Sequence, residues 1–379
     1  LPDVGTTIFT TMSQLAARHG ALNLSQGFPD FDPPAPLLAR VEAHLRGGAN
    51  QYAPMAGVPS LRAATATKIR DSYGLTLDAD RELTITAGAT EALFCAIAAT
   101  VRPGDEVIVF DPAYDSYAPV VRLQGGVTRH IPLAPPGYRI DWDRVADAVT
   151  DRTRLIVTNT PHNPTGTVWT GQDIAALRQI VSGRDLFVLA DEVYEHIVFD
   201  GAQHESLCRY PDLFARSFVV SSYGKTYHAT GWKIGYCAAP AALTAELRKI
   251  HQYVTFTANP FVQLGLADYL DEHPEHHQGL GGFYEKKRDQ LLAALAGSRL
   301  QAVPSAGTYF QLLDYSAVSD QPDVPWTEQL TREAGLAAIP VSVFYRQPPD
   351  DPRASRMIRL CFAKDTATLA AAAERLCQL

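Results

Sequence analysis

Lysine is scarce in this chain, 7 residues against 26 arginines among 379. A bland surface cation here would more often be arginine, so a lysine in an apolar setting asks for a chemical reason. Basic runs are missing as well. The net charge is −8, and no Lys/Arg cluster offers the surface that nucleic acid binding requires. Any bound anion must be held locally. The five cysteines, Cys95, Cys208, Cys237, Cys361 and Cys377, are odd in number and lack a C-x-x-C spacing. That disfavours a disulfide framework or a zinc site and fits a reducing cytoplasm. No apolar run approaches the ~18 residues of a membrane helix, and the first residues lack a basic stretch leading into an apolar one. The chain begins at Leu1 rather than methionine, so a few leading residues are expected before it.

What is present is the composition of an ordinary globular protein, 46% hydrophobic and 20% charged. The length exceeds the roughly 250–300 residues a single core usually serves, so a second domain is expected. From Arg81 onward, Val/Ile/Phe-rich runs alternate with amphipathic ones: "ELTITAGAT", "TEALFCAIAATV", "DEVIVFDPAY", "RLIVTNTPHNPTG", "DIAALRQIV", "LFVLADEVYE", "SFVVSSYGK" and "IGYCAAP". This pattern predicts an α/β fold, a mostly parallel sheet covered by helices on both faces. "AALTAELRKIHQYVTF" and "ADYLDEHPEHHQGLGGFYEKKRDQLLAALAG" read as long helices leading to a smaller α+β unit at the C-terminal end. The polar "HPEHH" tract between helices is expected to be solvated surface rather than a metal site.

One stretch concentrates the unusual residues, "SSYGKTYHATGWKIGY" at 221–236. Lys225 and Lys233 lie there among aromatic and small residues with no acidic residue beside them. The stretch lacks the first glycine of a Walker phosphate loop, which removes a nucleoside triphosphate reading. What remains is a lysine whose amine is the reagent. Desolvation and a second cation both disfavour the ammonium form, and a lowered pKa is what carbonyl chemistry by lysine needs.

These residues resemble the active-site segment of class I pyridoxal-phosphate aminotransferases, in which S-x-x-K is followed eight residues later by a second cation. Seven further segments occur in that family's order: "NLSQGFPDF", "NQYAPMAGVPSLR", "TAGATEAL", "DPAYDSY", "NTPHNPTG", "DEVYE" and "MIRLCFAK". The resemblance spans nearly the whole chain and implies a fold type I enzyme with pyridoxal 5'-phosphate as cofactor. It further implies a seven-stranded large domain over 46–275, a small domain over 276–379, and an arm at 1–45 that joins the small domain.

The same resemblance assigns site residues. Lys225 would bind the cofactor aldehyde and shuttle a proton, and Asp191 would keep the pyridine nitrogen protonated. Tyr194 and Asn163 would hydrogen-bond the phenolic oxygen, although the "NPTG" around Asn163 also reads as a plain turn. Ala89, Thr90, Ser222 and Lys233 would cradle the phosphate at a helix start. Tyr114 would stack on the ring, unless it is packing alone. Arg359 would take the substrate carboxylate, with Gly27 and Phe28 beside the substrate. Tyr52 would reach the phosphate of a neighbouring subunit, which makes the active site part of a homodimer.

Ile8, Phe28, Tyr52, Tyr114 and Phe256 are expected to give an apolar donor pocket without a second arginine. The wording of "TTIFTTMSQLA", "SQGFPDF" and "PVSVF" resembles the branch of methionine, aromatic, kynurenine and glutamine aminotransferases. A methionine or aromatic amino donor follows, with a 2-oxo acid as acceptor in a ping-pong reaction. Two alternatives stay open at this point: a carbon–sulfur β-lyase on the same scaffold, and an effector-binding domain of a transcription regulator. The last would carry an upstream helix-turn-helix module. The roles of Tyr223, Tyr227 and Trp232 are not legible from sequence.

Overall fold

The structure, a computed structural model, describes residues 5–379; the first four residues of the expected arm lie outside it. Four helices open the chain: α1 (Ile8–His19), α2 (Ala35–Arg46), α3 (Pro59–Tyr73) and α4 (Ala89–Thr100). The start of α1 is set by Thr7, whose side chain accepts from the Thr10 N–H, and its end by Gly20 in the left-handed region at φ 58°.

The strands in chain order are β1 (Leu22–Asn23), β2 (Leu83–Thr86), β3 (Glu106–Asp111), β4 (Val127–Pro132), β5 (Thr153–Asn159), β6 (Phe187–Asp191), β7 (Ser217–Ser222), β8 (Gly235–Ala238), β9 (Phe310–Asp314), β10 (Leu336–Ala337), β11 (Ile339–Pro340) and β12 (Met357–Cys361). Seven of them form one sheet in the order β2-β8-β7-β6-β5-β3-β4. All run parallel except β8, which is antiparallel to both β2 and β7. Strands β2, β3, β7 and β8 are buried throughout, and their continuous apolar runs reflect a sheet covered on both sides. Strand β4 is the exception. It lies at the sheet edge with alternating half-exposed residues, which is why "VTRHIP" does not stand out in the sequence.

A second, three-stranded sheet has the order β11-β12-β9 and is antiparallel. Its hydrophobic core draws on Leu24, on Tyr194–Phe199, and on residues from Leu280 to Leu376. The N-terminal segment divides its loyalties. Strand β1 pairs with β10, whereas on α2 Arg40 forms an ion pair with Glu272 and His44 Nε2 lies 2.7 Å from Asp268 Oδ2, both on the helix Pro260–Glu272.

The long helical stretch after residue 266 is broken at His273, with Pro274 opening a 21-residue helix, Pro274–Ala294. The expectation of a solvated "HPEHH" tract fails for two of its histidines. His277 is buried with its ring 4.9 Å from that of His196, and His276 Nε2 lies 2.9 Å from the Thr226 carbonyl oxygen. The reason is helical phase: the residues of a helix's first turn that face inward are packed whatever their polarity. No group of residues suited to hold a metal ion occurs among the described residues. Among the described residues no helix is long and apolar enough to cross a membrane.

Candidate active site

The C-terminal ends of β5, β6 and β7 meet the N-terminus of α4 and one face of β12 around a cavity of about 350 Å³. Ligand sites in open α/β sheets fall at such strand ends. Every residue expected to hold the cofactor or the substrate carboxylate, except Tyr52, lines it: Gly27, Phe28, Ala89, Thr90, Tyr114, Asn163, Asp191, Tyr194, Ser222, Lys225, Lys233 and Arg359.

Lys225 sits in the single helical turn Tyr223–Thr226 that follows β7. Its amine donates to the Gly27 carbonyl oxygen at 3.1 Å and lies 5.8 Å and 5.6 Å from the ring centres of Tyr194 and Tyr309. Protein surrounds it on all sides apart from the cavity. Burial lowers its pKa to about 8; Lys233 and Arg359 push the same way, against Cys361 and Asp191. The second lysine expected to depress the first does so.

Asp191 ends β6 and is 4% exposed. Burial raises its pKa to about 6, opposed by two hydrogen bonds: the Tyr117 hydroxyl donates to Oδ2 at 2.6 Å and the Val193 N–H to Oδ1 at 3.3 Å. Tyr117 is the partner that a buried carboxylate requires, and sequence reasoning passed over it although it stands in the quoted "DPAYDSY". Tyr194, three residues on, is buried against the edge of Tyr309 at 5.1 Å between ring centres, and burial raises its pKa.

Arg359 is 1% exposed on β12. Nη1 donates to Asn163 Oδ1 at 2.8 Å and Nη2 to the Ser25 carbonyl at 2.9 Å, while Nε has no partner. Aromatic rings surround the guanidinium, Phe310 at 4.0 Å, Phe9 at 5.2 Å and Phe344 at 5.6 Å from its carbon. Burial lowers its pKa to about 10, still fully charged at neutral pH. Gly27 is needed where it stands, because a Cβ there would come within 2.6 Å of the Phe310 ring.

The opposite end of the cavity is built for an anion. Gly88, at φ 78°, leads into the first turn of α4, whose N–H groups at Ala89 and Thr90 lack intrahelical acceptors as all first-turn amides do. Lys233 adopts φ 53° and brings Nζ to 3.2 Å from where a Gly88 Cβ would lie. Ser222 closes the ring from the end of β7. An anion cradle, a buried carboxylate, a desolvated amine and a buried guanidinium around one cavity match the phosphate, pyridine nitrogen and aldehyde of pyridoxal phosphate and the carboxylate of an amino acid.

The expected donor pocket needs correction. Of Ile8, Phe28, Tyr52, Tyr114 and Phe256, only Phe28 and Tyr114 line the cavity. Ile8 lines a separate groove with Thr11 and Asp115; one step along α1 turns the side chain by about 100°, so Phe9 rather than Ile8 faces Arg359. Phe310, Leu93 and Val193 supply the other apolar walls. Phe256 packs edge-on against Tyr52 at 5.5 Å, and Tyr52 is 84% exposed. Tyr223 and Tyr227 are packing residues in the large core.

Fold and site together define a fold type I enzyme dependent on pyridoxal phosphate. The family model for class I and II aminotransferases matches residues 20–376, and the chain belongs to that family. It is 56% identical over 379 residues to the methionine aminotransferase of Escherichia coli K12, covering 100% of this chain and 97% of that protein. The crystal structure of the E. coli methionine aminotransferase YbdL aligns with a TM-score of 0.97 over 100% of this chain and 98% of that one. A probable N-succinyldiaminopimelate aminotransferase of Mycobacterium tuberculosis is 38% identical over 383 residues, covering 98% of this chain and 95% of that protein. The protein is an amino-acid transaminase whose cofactor is pyridoxal phosphate.

Proposed function

We propose that this transaminase takes its amino group from methionine or an aromatic L-amino acid and passes it to a 2-oxo acid by a ping-pong route. The observation that carries the reading is one cavity lined both by Lys225, its amine lowered to a pKa of about 8, and by the buried guanidinium of Arg359. Its donor side is walled by Phe9, Phe28 and Phe310, and Arg359 is the one arginine among the described residues lining it. A donor with a second carboxylate finds no second guanidinium there. The 56% identity to a methionine aminotransferase supports the same choice.

When bound, pyridoxal phosphate supplies an aldehyde for amine exchange and a conjugated ring that accepts the electron pair of a broken Cα–H bond. Ala89, Thr90, Ser222 and Lys233 hold its phosphate, and Tyr114 covers one ring face. Asp191 would hold a proton on the ring nitrogen; burial raises its own pKa, and a cationic ring N–H beside it would offset that cost. Asn163 accepts from Arg359 with its oxygen, which leaves its amide N–H₂ to donate beside Tyr194 at the phenolic oxygen. Arg359 binds the substrate carboxylate, and Gly27 and Phe28 border the substrate. Lys225, an amine poised between protonated and free near neutral pH, moves the proton at the substrate Cα.

The active site is completed across a homodimer, with Tyr52 reaching the neighbouring subunit's phosphate. Supporting this, Tyr52 is 84% exposed and stands against the ring of Phe256, itself 43% exposed, an aromatic pair at the surface of the kind that marks an interaction site. The division into an arm at 1–45, a large domain at 46–275 and a small domain at 276–379 remains part of the proposal, supported by β1 pairing with β10 and by the separate second core. So does a reducing cytoplasm, supported by five free cysteines.

The test is a panel of amino donors, each followed in single half-reactions by the change in cofactor absorbance. Methionine and aromatic amino acids are expected to react faster than aspartate. Pyruvate and ammonia released from cystathionine with no oxo acid present would overturn the transaminase chemistry in favour of β-elimination.

A further inference from the structure

Directly behind the cavity, on the other face of the sheet, lies a buried charged network that the reaction does not touch. Successive residues of a strand face opposite sides, so Ser222 faces the cavity while Ser221 points away from it. Ser221 is paired across β7 and β8 with Tyr236, and both reach one carboxylate. Glu195 Oε1 accepts from Ser221 Oγ at 2.5 Å, Tyr236 OH at 2.8 Å and Lys68 Nζ at 2.7 Å. Its Oε2 accepts from Tyr73 OH at 2.5 Å.

The accounting closes at both charges. A carboxylate has about four lone-pair sites and an ammonium three N–H groups. Glu195 accepts four hydrogen bonds, and Lys68 has three acceptors: Glu195, Tyr236 OH at 2.8 Å and His196 Nε2 at 3.2 Å. Both side chains are no more than 5% exposed. Burial alone would raise the Glu195 pKa; Lys68 and the bond from Ser221 outweigh it and hold it well below the usual range. Burial keeps His196 neutral, so it accepts rather than donates.

Glu195, Ser221 and Tyr236 each lie within three positions of a cavity residue. Glu195 follows Tyr194, Ser221 precedes Ser222 and lies four residues before Lys225, and Tyr236 follows Lys233 by three. We propose that Glu195, anchored by Lys68, is a positioning residue: it fixes the spacing of the β6, β7 and β8 ends, and with it the placement of Tyr194, Ser222, Lys225 and Lys233 around the cofactor. The inference rests on the roles proposed above for those four residues. A fully satisfied buried ion pair contributes little to net stability over an apolar replacement; its distinctive contribution here is a fixed geometry at three strand ends.

Ser221→Ala and Ser217→Ala are the matched variants. Both sit on β7, both are buried, and each loses one hydroxyl donor, Ser217 its bond to the Leu213 carbonyl at 2.6 Å. A purely structural role predicts equal effects on the thermal midpoint of the cofactor-free protein and none that differ in cofactor binding. Positioning predicts that Ser221→Ala alone raises the Kd for pyridoxal phosphate about tenfold, the loss of one bond to a charged group. It also predicts that Ser221→Ala moves the pH midpoint of the bound cofactor's absorbance by on the order of 0.5 unit, with Ser217→Ala at wild-type values. Equal Kd values and equal midpoints for the two variants overturn the proposal. Lys225→Ala separates the two readings: unchanged cofactor absorbance in that variant would overturn the Lys225 assignment and this inference with it, whereas equal serine variants overturn this inference alone.

Discussion

Arg359 and Asn163 are joined side chain to side chain, Nη1 to Oδ1 at 2.8 Å, across the line where the small antiparallel sheet meets the end of the large one. Nη2 donates to the Ser25 carbonyl, and because each η nitrogen carries two N–H groups the guanidinium is oriented by the protein and still keeps donors for a ligand. A ligand carboxylate therefore meets a cation already held in place, with aromatic rings excluding water around it.

Arg359→Lys keeps the charge but loses the planar fork, and one ammonium cannot serve Asn163, Ser25 and a carboxylate with the same geometry. The expected result is a loss in kcat/KM of about ten- to a hundredfold for every amino donor, with their ranking unchanged. Half-reaction rates across the donor panel check this. Phe9→Ala should instead reorder the donors, because Phe9 supplies apolar wall beside the guanidinium rather than charge.

The lowered pKa of Lys225 makes cofactor capture depend on pH in a defined direction. Free amine, the form that attacks an aldehyde, is the minor species below pH 8 and the major one above it. The rate at which cofactor-free protein takes up pyridoxal phosphate should rise about tenfold per pH unit below 8 and level off above it. An ordinary lysine would keep the rate rising to beyond pH 10. Stopped-flow absorbance between pH 6 and 10 distinguishes the two.

Asp191 gives a stability signature in the cofactor-free protein. Its pKa is about 6 when folded against 3.8 for an ordinary aspartate, so between those values the folded state binds the extra proton and stability falls as pH rises through the window. The shift corresponds to about 3 kcal/mol at pH 7. Asp191→Asn should remove that loss, making the cofactor-free variant more stable than wild type at pH 7 and nearly equal to it near pH 4. Urea midpoints across pH 4–7.5 measure it. In the loaded enzyme the same substitution should lower kcat by at least about a hundredfold, as removal of a preorganised charge does.

Gly88 tests the anion cradle. At φ 78°, with Lys233 Nζ 3.2 Å from the position of a Cβ, Gly88→Ala strains the backbone and displaces the lysine amine. The Kd for pyridoxal phosphate should rise by about tenfold or more, with a smaller change for pyridoxal lacking the phosphate. Fluorescence titration with both ligands reads the difference.

Much of this site was legible because each residue has one chemical reason to be where it is. A lysine in apolar company, a carboxylate at the end of a buried strand and an arginine inside "MIRLCFAK" are all hard to explain as packing, and all three line the cavity. Residues that serve through shape were not legible. Phe9 and Ile8 are equivalent as letters, and only the phase of α1 separates them. Tyr117 looked like one more strand-end aromatic until its hydroxyl was found 2.6 Å from Asp191. The Glu195 network was invisible for a different reason: its members come from positions 68, 73, 195, 221 and 236, and nothing local marks five distant polar residues as neighbours. The "HPEHH" tract misled because local polarity does not report which side of a helix is buried.

The proposed role of Tyr52 in a neighbouring subunit is open to a direct test by complementation. If it serves the neighbour's cofactor phosphate, a Tyr52→Ala subunit keeps its own Lys225 and needs only a tyrosine from its partner. A Lys225→Ala subunit supplies that tyrosine and contributes no active site of its own. Each homodimer should then be impaired, Tyr52→Ala through a weakened cofactor Kd and Lys225→Ala through lost activity. Refolding the two variants together at equal amounts makes half the dimers mixed, each with one complete site, so activity should return to about a quarter of wild type at limiting cofactor. If Tyr52 acts within its own subunit, no mixed dimer contains a complete site and activity stays at the sum of the separate variants. An affinity tag on one variant, used to capture the other from the same samples, confirms that mixed dimers form, so the two outcomes are read on a known assembly.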